Sequence, residues 1–288
     1  MKIQFTKMHG CGNDYIYING AEINIPHCGK PAVVRSLSDR HFGVGADGVI
    51  FINPSPTGSA DFEMEMYNMD GSRGEMCGNG IRCVGKYVYD RDMTKSTDLT
   101  IESCGAIHPI SLLTKDGRAV AARVDMGAPI LRAGDIPVLA EGGEDTAPVI
   151  DEPVEADGKI WKMTCVSMGN PHAVLFPEEP VRHLDLASIG PALENNVKFP
   201  KKSNIEFVQI IDRRTVEMRV WERGSGETLA CGTGCCATGV ACVLKGLTDE
   251  KITVKVLGGE IEIEWDRTAD KVWMTGPAQE VFEGSMEV

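Results

Sequence analysis

The sequence predicts an α+β protein made of two similar halves, and three observations carry that reading. Short strand patterns fill most of the chain, a few helical patterns interrupt them, and one strand–turn–helix unit recurs at about half the chain length. The unit begins Asp61-Phe62-Glu63-Met64-Glu65-Met66-Tyr67 and ends Cys77-Gly78-Asn79-Gly80. Its counterpart, 154 positions later, runs without a gap from Thr215-Val216-Glu217-Met218-Arg219-Val220-Trp221 to Cys231-Gly232-Thr233-Gly234. Each copy alternates up to an aromatic residue, crosses a Gly/Ser-rich turn and reaches C-G-x-G. With 10 Cys and 32 Gly in 288 residues, composition alone predicts roughly 0.1 such tetrapeptides. A second echo pairs Gly12-Asn13 with Gly169-Asn170, 157 positions apart.

In chain order, residues 1–7 alternate as a strand and lack the apolar core of a signal peptide. A helix is expected at 31–39, then strands at 48–52 and 62–67. After Gly80, Ile81, Val84, Tyr87 and Val88 recur at helical spacing, and strands follow at 99–103, 107–113 and 119–125. At Met126-Gly127-Ala128-Pro129 a strand pattern meets Gly-x-Pro, which places the change-over between domains 1–127 and 128–275. Residues 141–158 are acidic and rich in Gly and Pro, and read as a solvated loop or hairpin excursion. The second half offers strands at 162–167, 173–176, 205–211, 215–221, 252–256, 260–265 and 272–275, with a helix at 184–193. After Gly234, Ala237, Val240, Ala241 and Leu244 mark a helix with Lys245 in its last turn and Gly246 placed to stop it.

Composition excludes several function classes. Hydrophobic residues are 42% and charged residues 25%, ordinary for a globular protein with real cores. Lys plus Arg is 29 against 42 for Asp plus Glu, a formal charge of −13, with no basic stripe to displace phosphate counterions, so no nucleic-acid partner is expected. No run approaches the roughly 18 apolar residues of a membrane span. The expected location is the cytoplasm, where the cysteines remain thiols. No C-x-x-C pair occurs, so no metal site is expected.

Two cysteines, each just before a helix, call for an explanation. A helix start offers unpaired N–H groups and the positive end of a dipole, which lower a thiol pKa and cradle a carboxylate. One such site suggests a nucleophile. Two related sites, one per half, suggest a thiol on either side of one substrate carbon: a base takes a proton from one face and an acid returns one to the other. The carbanion-like transition state places charge on a neighbouring carboxylate, where two helix starts stabilise it. Cys28, Cys104, Cys165 and Cys242 are assigned to packing, as are Cys11 and the helical Cys83, Cys235 and Cys236.

These blocks resemble diaminopimelate epimerase: Lys7-Met8-His9-Gly10-Cys11-Gly12-Asn13-Asp14, Phe42-Gly43-Val44-Gly45-Ala46-Asp47-Gly48, Asn68-x-Asp70-Gly71-Ser72 and Met76-Cys77-Gly78-Asn79-Gly80-Ile81-Arg82-Cys83. Met168-Gly169-Asn170-Pro171-His172, Asn204 with Glu206-Phe207, and Glu222-Arg223-Gly224 through Gly234 follow in the same order. The resemblance implies a cofactor-independent epimerase of lysine biosynthesis that interconverts LL- and meso-2,6-diaminopimelate. It implies two pseudo-symmetric domains, each a barrel-like sheet around a central helix, with the C-terminal strand 276–288 joining the first domain, and a homodimer. Cys77 and Cys231 would be the acid/base pair, with His172 and Glu222 tuning the thiols or the reacting amine. Gly78, Asn79, Gly232 and Thr233 would hold the reacting carboxylate. Asn13, Asn68, Asn170, Asn204, Glu222 and Arg223 would hold the amines and the second carboxylate. Some members carry a substrate-contacting Gln at the position of Gly48, and Cys11 replaces a commoner Leu.

Alternatives stay open at this point. Any one of these asparagines fits a turn residue, Arg223 fits a solvated charge, and His172 fits a satisfied core histidine equally well. Proline-type racemases typically have His rather than Asn79 after the first C-G, which argues against them, whereas a two-thiol racemase of histidine or a similar amino acid is harder to exclude. A non-catalytic thiol or metal-binding protein is the rival from another class, and the missing C-x-x-C spacing argues against it.

Overall fold

The computed structural model describes residues 1–23, 25–74, 76–143 and 145–288. Glu75 of the recurring unit and Glu144 of the acidic excursion lie outside the described residues. The elements are β1 (Lys2–Gly10), β2 (Asn13–Asn19), α1 (Lys30–Ser38), β3 (Gly48–Pro54), β4 (Phe62–Asn68), α2 (Gly78–Asp90), β5 (Asp98–Ser103), β6 (Ala106–Lys115) and β7 (Arg118–Asp125). They continue with β8 (Glu152–Ala156), β9 (Lys159–Ser167), β10 (Pro171–Leu175), α3 (Leu186–Glu194), β11 (Asn204–Asp212), β12 (Thr215–Glu222) and β13 (Gly226–Thr228). Last come α4 (Gly232–Leu244), β14 (Lys251–Val256), β15 (Gly259–Asp266), β16 (Lys271–Pro277) and β17 (Gln279–Glu287). Two compact units result: Met1–Asp125 with Thr275–Val288, and Met126–Met274.

In the first unit the strands pair in the order β17–β1–β2–β3–β4–β5–β6–β7. From β1 to β6 the successive pairings are antiparallel, parallel, antiparallel, parallel and antiparallel. In the second unit β9–β10–β11–β12–β14–β15 repeats the same five directions. The register repeats too. Tyr15 lies opposite Gly48 as His172 lies opposite Asn204, and Val49 opposite Tyr67 as Ile205 opposite Trp221.

Inside each sheet runs one helix. α2 packs on β1, β2, β5, β6 and β7, and α4 on β9, β10, β11, β14 and β15. α4 is buried almost all round, from Cys235 to Cys242 without a break, which is the pattern of a helix with no solvent face. It ends as expected: Gly246 adopts φ +67° and the Leu247 N–H reaches the Cys242 carbonyl at 2.9 Å, a C-cap that only a residue tolerant of positive φ closes without strain. Val34 and Leu37 of α1 pack with Ile16, Ile18, Val49 and Phe51 in the first core; Trp161, Met163, Ile205 and Phe207 centre the second.

The segment 141–158 carries the first strand of a hairpin, β8, which pairs with β9 beyond it. The expected solvated excursion is corrected in part, since Val149, Val154 and Ala156 are buried in the second core. Two cysteine assignments need correction. Cys28 and Cys104 are exposed rather than packed. Cys104 and Gly105 form the two-residue turn between β5 and β6 with φ +49° and +79°, the type I′ geometry that a right-twisted hairpin prefers, and such a tip faces water. Cys28 lies in the loop before α1, ahead of that helix's buried face. Among the described residues no helix is long and apolar enough to cross a membrane.

Candidate active site

The two C-G-x-G segments fold alike. Cys77 caps α2 at φ −118°, ψ 109°, and Cys231 caps α4 at φ −117°, ψ 112°, each ahead of a 13-residue helix. An extended N-cap turns its side chain back over the first turn, where N–H groups lack partners. The Gly80 N–H donates to Cys77 Sγ at 3.3 Å, and Cys231 Sγ lies 3.5 Å from Thr233 Oγ1.

In the first unit the β1–β2 turn supplies the thiol's partner. Cys11 and Gly12 occupy it with φ +53° and +83°, so Asn13 starts β2 with its side chain toward Cys77. Cys77 Sγ donates to Asn13 Oδ1 at 3.3 Å. The amide cannot turn over freely, because its Nδ2 donates to Asp47 Oδ2 at 2.8 Å. Arg40 holds Asp47 and Asp14 at 2.8 Å each, and Lys7 pairs with Asp14. Burial favours the protonated form of Asp14, but the bonds from Arg40 and Lys7 outweigh it and hold its carboxyl below the usual range. Asp47 is pushed up by burial and by Asp14.

Asn68 ends β4 and donates to Ser72 Oγ at 3.0 Å. Asn79 is turned inward: its Oδ1 accepts from Arg82 Nη2 at 3.0 Å, so the helix start offers a ligand Asn79's backbone rather than its amide. Arg82 is fully buried and also donates to the carbonyls of Gly78 and Pro277. Gly48 is a packing necessity, since a Cβ there would drive into the Tyr67 carbonyl oxygen. Tyr15 was missed from the sequence. It is buried, and burial together with nearby Cys77 and Asp47 pushes its phenol well up, so it stays protonated.

In the second unit Cys231 is 6% exposed. The helix start was expected to lower its pKa, and the opposite holds: burial, then the carboxylates of Glu222 and Glu206, push the thiol well above its ordinary value. The dipole acts over one turn, whereas desolvation and two like charges oppose the thiolate directly. His172 is fully buried; its Nδ1 is 2.7 Å from Glu206 Oε1 and its Nε2 3.0 Å from Asn170 Oδ1. Among the described residues these bonds run to Glu206 and Asn170, not to Cys231.

Asn204 bridges the start of β10 and the turn after β12, donating to the Pro171 carbonyl and accepting from the Arg223 N–H, both at 2.9 Å. Arg223 donates to the Lys201 carbonyl at 3.2 Å, and Thr228 Oγ1 donates to Glu222 Oε1 at 2.5 Å. Asn170, His172, Asn204, Glu222 and Arg223 thus cluster around one end of β10, β11 and β12, as Asn13, Asn68 and Cys77 cluster in the first unit. The sequence marks Glu206 only as part of a matching block; its place two residues after Asn204, on the same face of β11, is the one signal in the sequence that points to it.

The diaminopimelate epimerase family model matches residues 5–131 and 164–281. The chain is 51% identical to the diaminopimelate epimerase of Methanococcus maripaludis strain S2 over 286 residues, covering 99% of this chain and 100% of that one. It is 52% identical to that of Acetivibrio thermocellus, covering 99% of each. Among solved structures it resembles a probable proline racemase from Agrobacterium radiobacter (TM-score 0.70, 15% identity, 99% and 92% covered). It also resembles a phenazine biosynthesis protein of the PhzF family from Bacillus anthracis (TM-score 0.68, 15% identity, 100% of both covered). At such identities the structural matches speak for the fold alone.

Proposed function

The chain belongs to the diaminopimelate epimerase family, and from that premise we propose how it interconverts LL- and meso-2,6-diaminopimelate. One observation carries the reading: two cysteines cap two equivalent helices with torsions that agree within a few degrees. Inversion at Cα needs a base on one face and an acid on the other, each near its working pH, and two like groups serve both directions because their roles exchange with the enantiomer bound. The sulfur of one cysteine takes the α-proton while the S–H of the other protonates the opposite face.

Negative charge that develops on the α-carboxylate is met by the first N–H groups of both helices, through Gly78-Asn79 and Gly232-Thr233. Glu222 accepts from an ammonium group and Arg223 takes a carboxylate, the two charge types that a diamino diacid presents at its far end. Asn13, Asn68, Asn170 and Asn204 orient these groups, since an amide both donates and accepts. This chemistry asks for no cofactor. The reading includes a cytoplasmic homodimer, which sedimentation equilibrium tests.

The deciding experiment is turnover of LL-diaminopimelate in deuterated water. The expected result is deuterium at Cα of the inverted product; inversion without label excludes proton exchange. Running histidine and other amino acids beside diaminopimelate separates this enzyme from a related two-thiol racemase.

A further inference from the structure

Glu206 takes no part in the exchange described above, yet it stands at the helix start of the second unit. It is fully buried on β11, with Oε1 2.7 Å from His172 Nδ1. A carboxylate offers only lone pairs, so Nδ1 carries the proton of that bond. Nε2 faces Asn170 at 3.0 Å. The ring cannot turn without breaking the buried, charge-assisted bond at Nδ1.

The same Oε1 would lie 2.6 Å from a Cβ on Gly234, and that Cβ 3.3 Å from Cys231 Sγ. The carboxylate thus overhangs the first turn of α4 beside the thiol, in room that a glycine leaves. Among the described residues Oε2 is buried with no hydrogen-bond partner, so the carboxylate's bond to His172 falls on Oε1 alone. At the matching place in the first unit a Cβ on Gly80 would meet the Ile50 Cδ1 methyl at 2.8 Å.

The geometry points to Glu206 as a positioning residue: it locks His172 in one orientation with a proton on Nδ1, and it holds a negative charge over Cys231 where the first unit has a methyl group. This rests on the two-thiol reading. Its consequence is that Cys231 holds its proton in the free enzyme, ready to donate to one enantiomer, and ionises to serve as base for the other only after the substrate's ammonium groups have brought compensating charge. The titratable groups around this carboxylate come from each element packed against it: His172 on β10, Cys165 on β9 and Cys231 at the start of α4, with Glu222 of β12 facing Cys231 as well.

Glu206→Gln keeps the shape and removes the charge; Glu206→Asp keeps the charge. In the glutamine variant kcat is expected to fall about tenfold or more with KM within about twofold. Alkylation of Cys231 by iodoacetamide, followed on its peptide by mass spectrometry, is expected to move about one unit toward lower pH. The Cys77 peptide should not move, and the aspartate variant should recover part of both effects. A glutamine variant with wild-type kcat and an unmoved Cys231 profile overturns the inference. Should that variant fail to fold, the native chain decides: with 15N-labelled histidine, His172 must show a protonated Nδ1, and a bare Nδ1 overturns it. If the native enzyme exchanges no α-proton of diaminopimelate, the two-thiol reading fails, while the alkylation profile and the nitrogen spectrum still judge Glu206.

Discussion

The two units share a scaffold and differ in what stands behind the sulfur. Behind Cys77 the equivalent positions hold Tyr15, Ile50 and Asn68; behind Cys231 they hold His172, Glu206 and Glu222. Strand directions, register and helix caps repeat, so the backbone brings each thiol to the same place over a helix start. The acid–base surroundings do not repeat: a phenol, a methyl group and an amide on one side, an imidazole and two carboxylates on the other. A duplicated fold can thus fix symmetric geometry while side chains make the surroundings of the two thiols unequal. On the proposed two-thiol mechanism, the backbone would supply the equivalence that two Cα configurations require and the side chains the starting protonation state.

The largest effect tests whether the two sulfurs are equivalent in need. Cys77→Ala and Cys231→Ala should each reduce turnover by about a thousandfold or more, within the range that general acid–base groups contribute. Deuterium incorporation from solvent is the measurement, with circular dichroism confirming the fold. Near-normal turnover in either variant would break the comparison.

The next effect concerns the paired positions Gly48 and Asn204. Gly48→Gln should lower stability by roughly 3 kcal/mol or more in urea denaturation, because its Cβ meets backbone that cannot retreat. Asn204→Gly should cost about 2 kcal/mol, since it orphans the bonds to Pro171 and Arg223. Equal tolerance at both positions would show that the pairing has no energetic content.

A smaller contrast sits one turn into each helix. Gly234→Ala pushes against the Glu206 carboxylate, which is held by His172, while Gly80→Ala pushes against the end of a flexible isoleucine. Activity should drop about tenfold in the first and stay within about twofold in the second, where gained helix propensity offsets the contact. The reverse order would place the tighter packing in the wrong unit.

The smallest effect is a pH slope. The folded Cys231 pKa is raised above the ordinary 9.0, so the folded state holds that proton more tightly than the unfolded one. Its stability contribution is complete below pH 9 and is lost as pH rises toward the folded value. Cys165 and Cys242 contribute in the same direction. Stability measured from pH 8 to pH 10.5 should therefore fall less steeply in Cys231→Ser than in the native chain; an unchanged slope would remove the argument for a strongly held proton.

Much of this was legible in the sequence, and the exceptions have physical causes. The alternating strands 62–67 and 215–221, the helices after Gly80 and Gly234, and the stop at Gly246 all rest on local periodicity or a backbone conformation that particular residues prefer. β2 went unread because Tyr15, Ile16, Tyr17 and Ile18 are all buried, so no polar face alternates with them. β17 is mostly exposed and becomes a strand only by pairing with β1, at the far end of the chain. Resemblance, not periodicity, pointed to it. Cys77 and Cys231 announced themselves through repetition. The raised pKa of Cys231 did not, because it depends first on burial and then on carboxylates carried by β12 and β11, and sequence spacing is blind to what a sheet brings alongside.

Arg82 joins the first helix start to the end of the chain, its Nε donating to the Pro277 carbonyl while its fork holds Gly78 and Asn79. β17 likewise covers the edge of β1. During synthesis the first 125 residues leave the ribosome early, yet their unit lacks its closing strand and one acceptor for its buried guanidinium, the Pro277 carbonyl, until residues 275–288 have been made. The second unit, contiguous in the chain, can close first. The N-terminal cysteine site is then the last part of the enzyme to be finished.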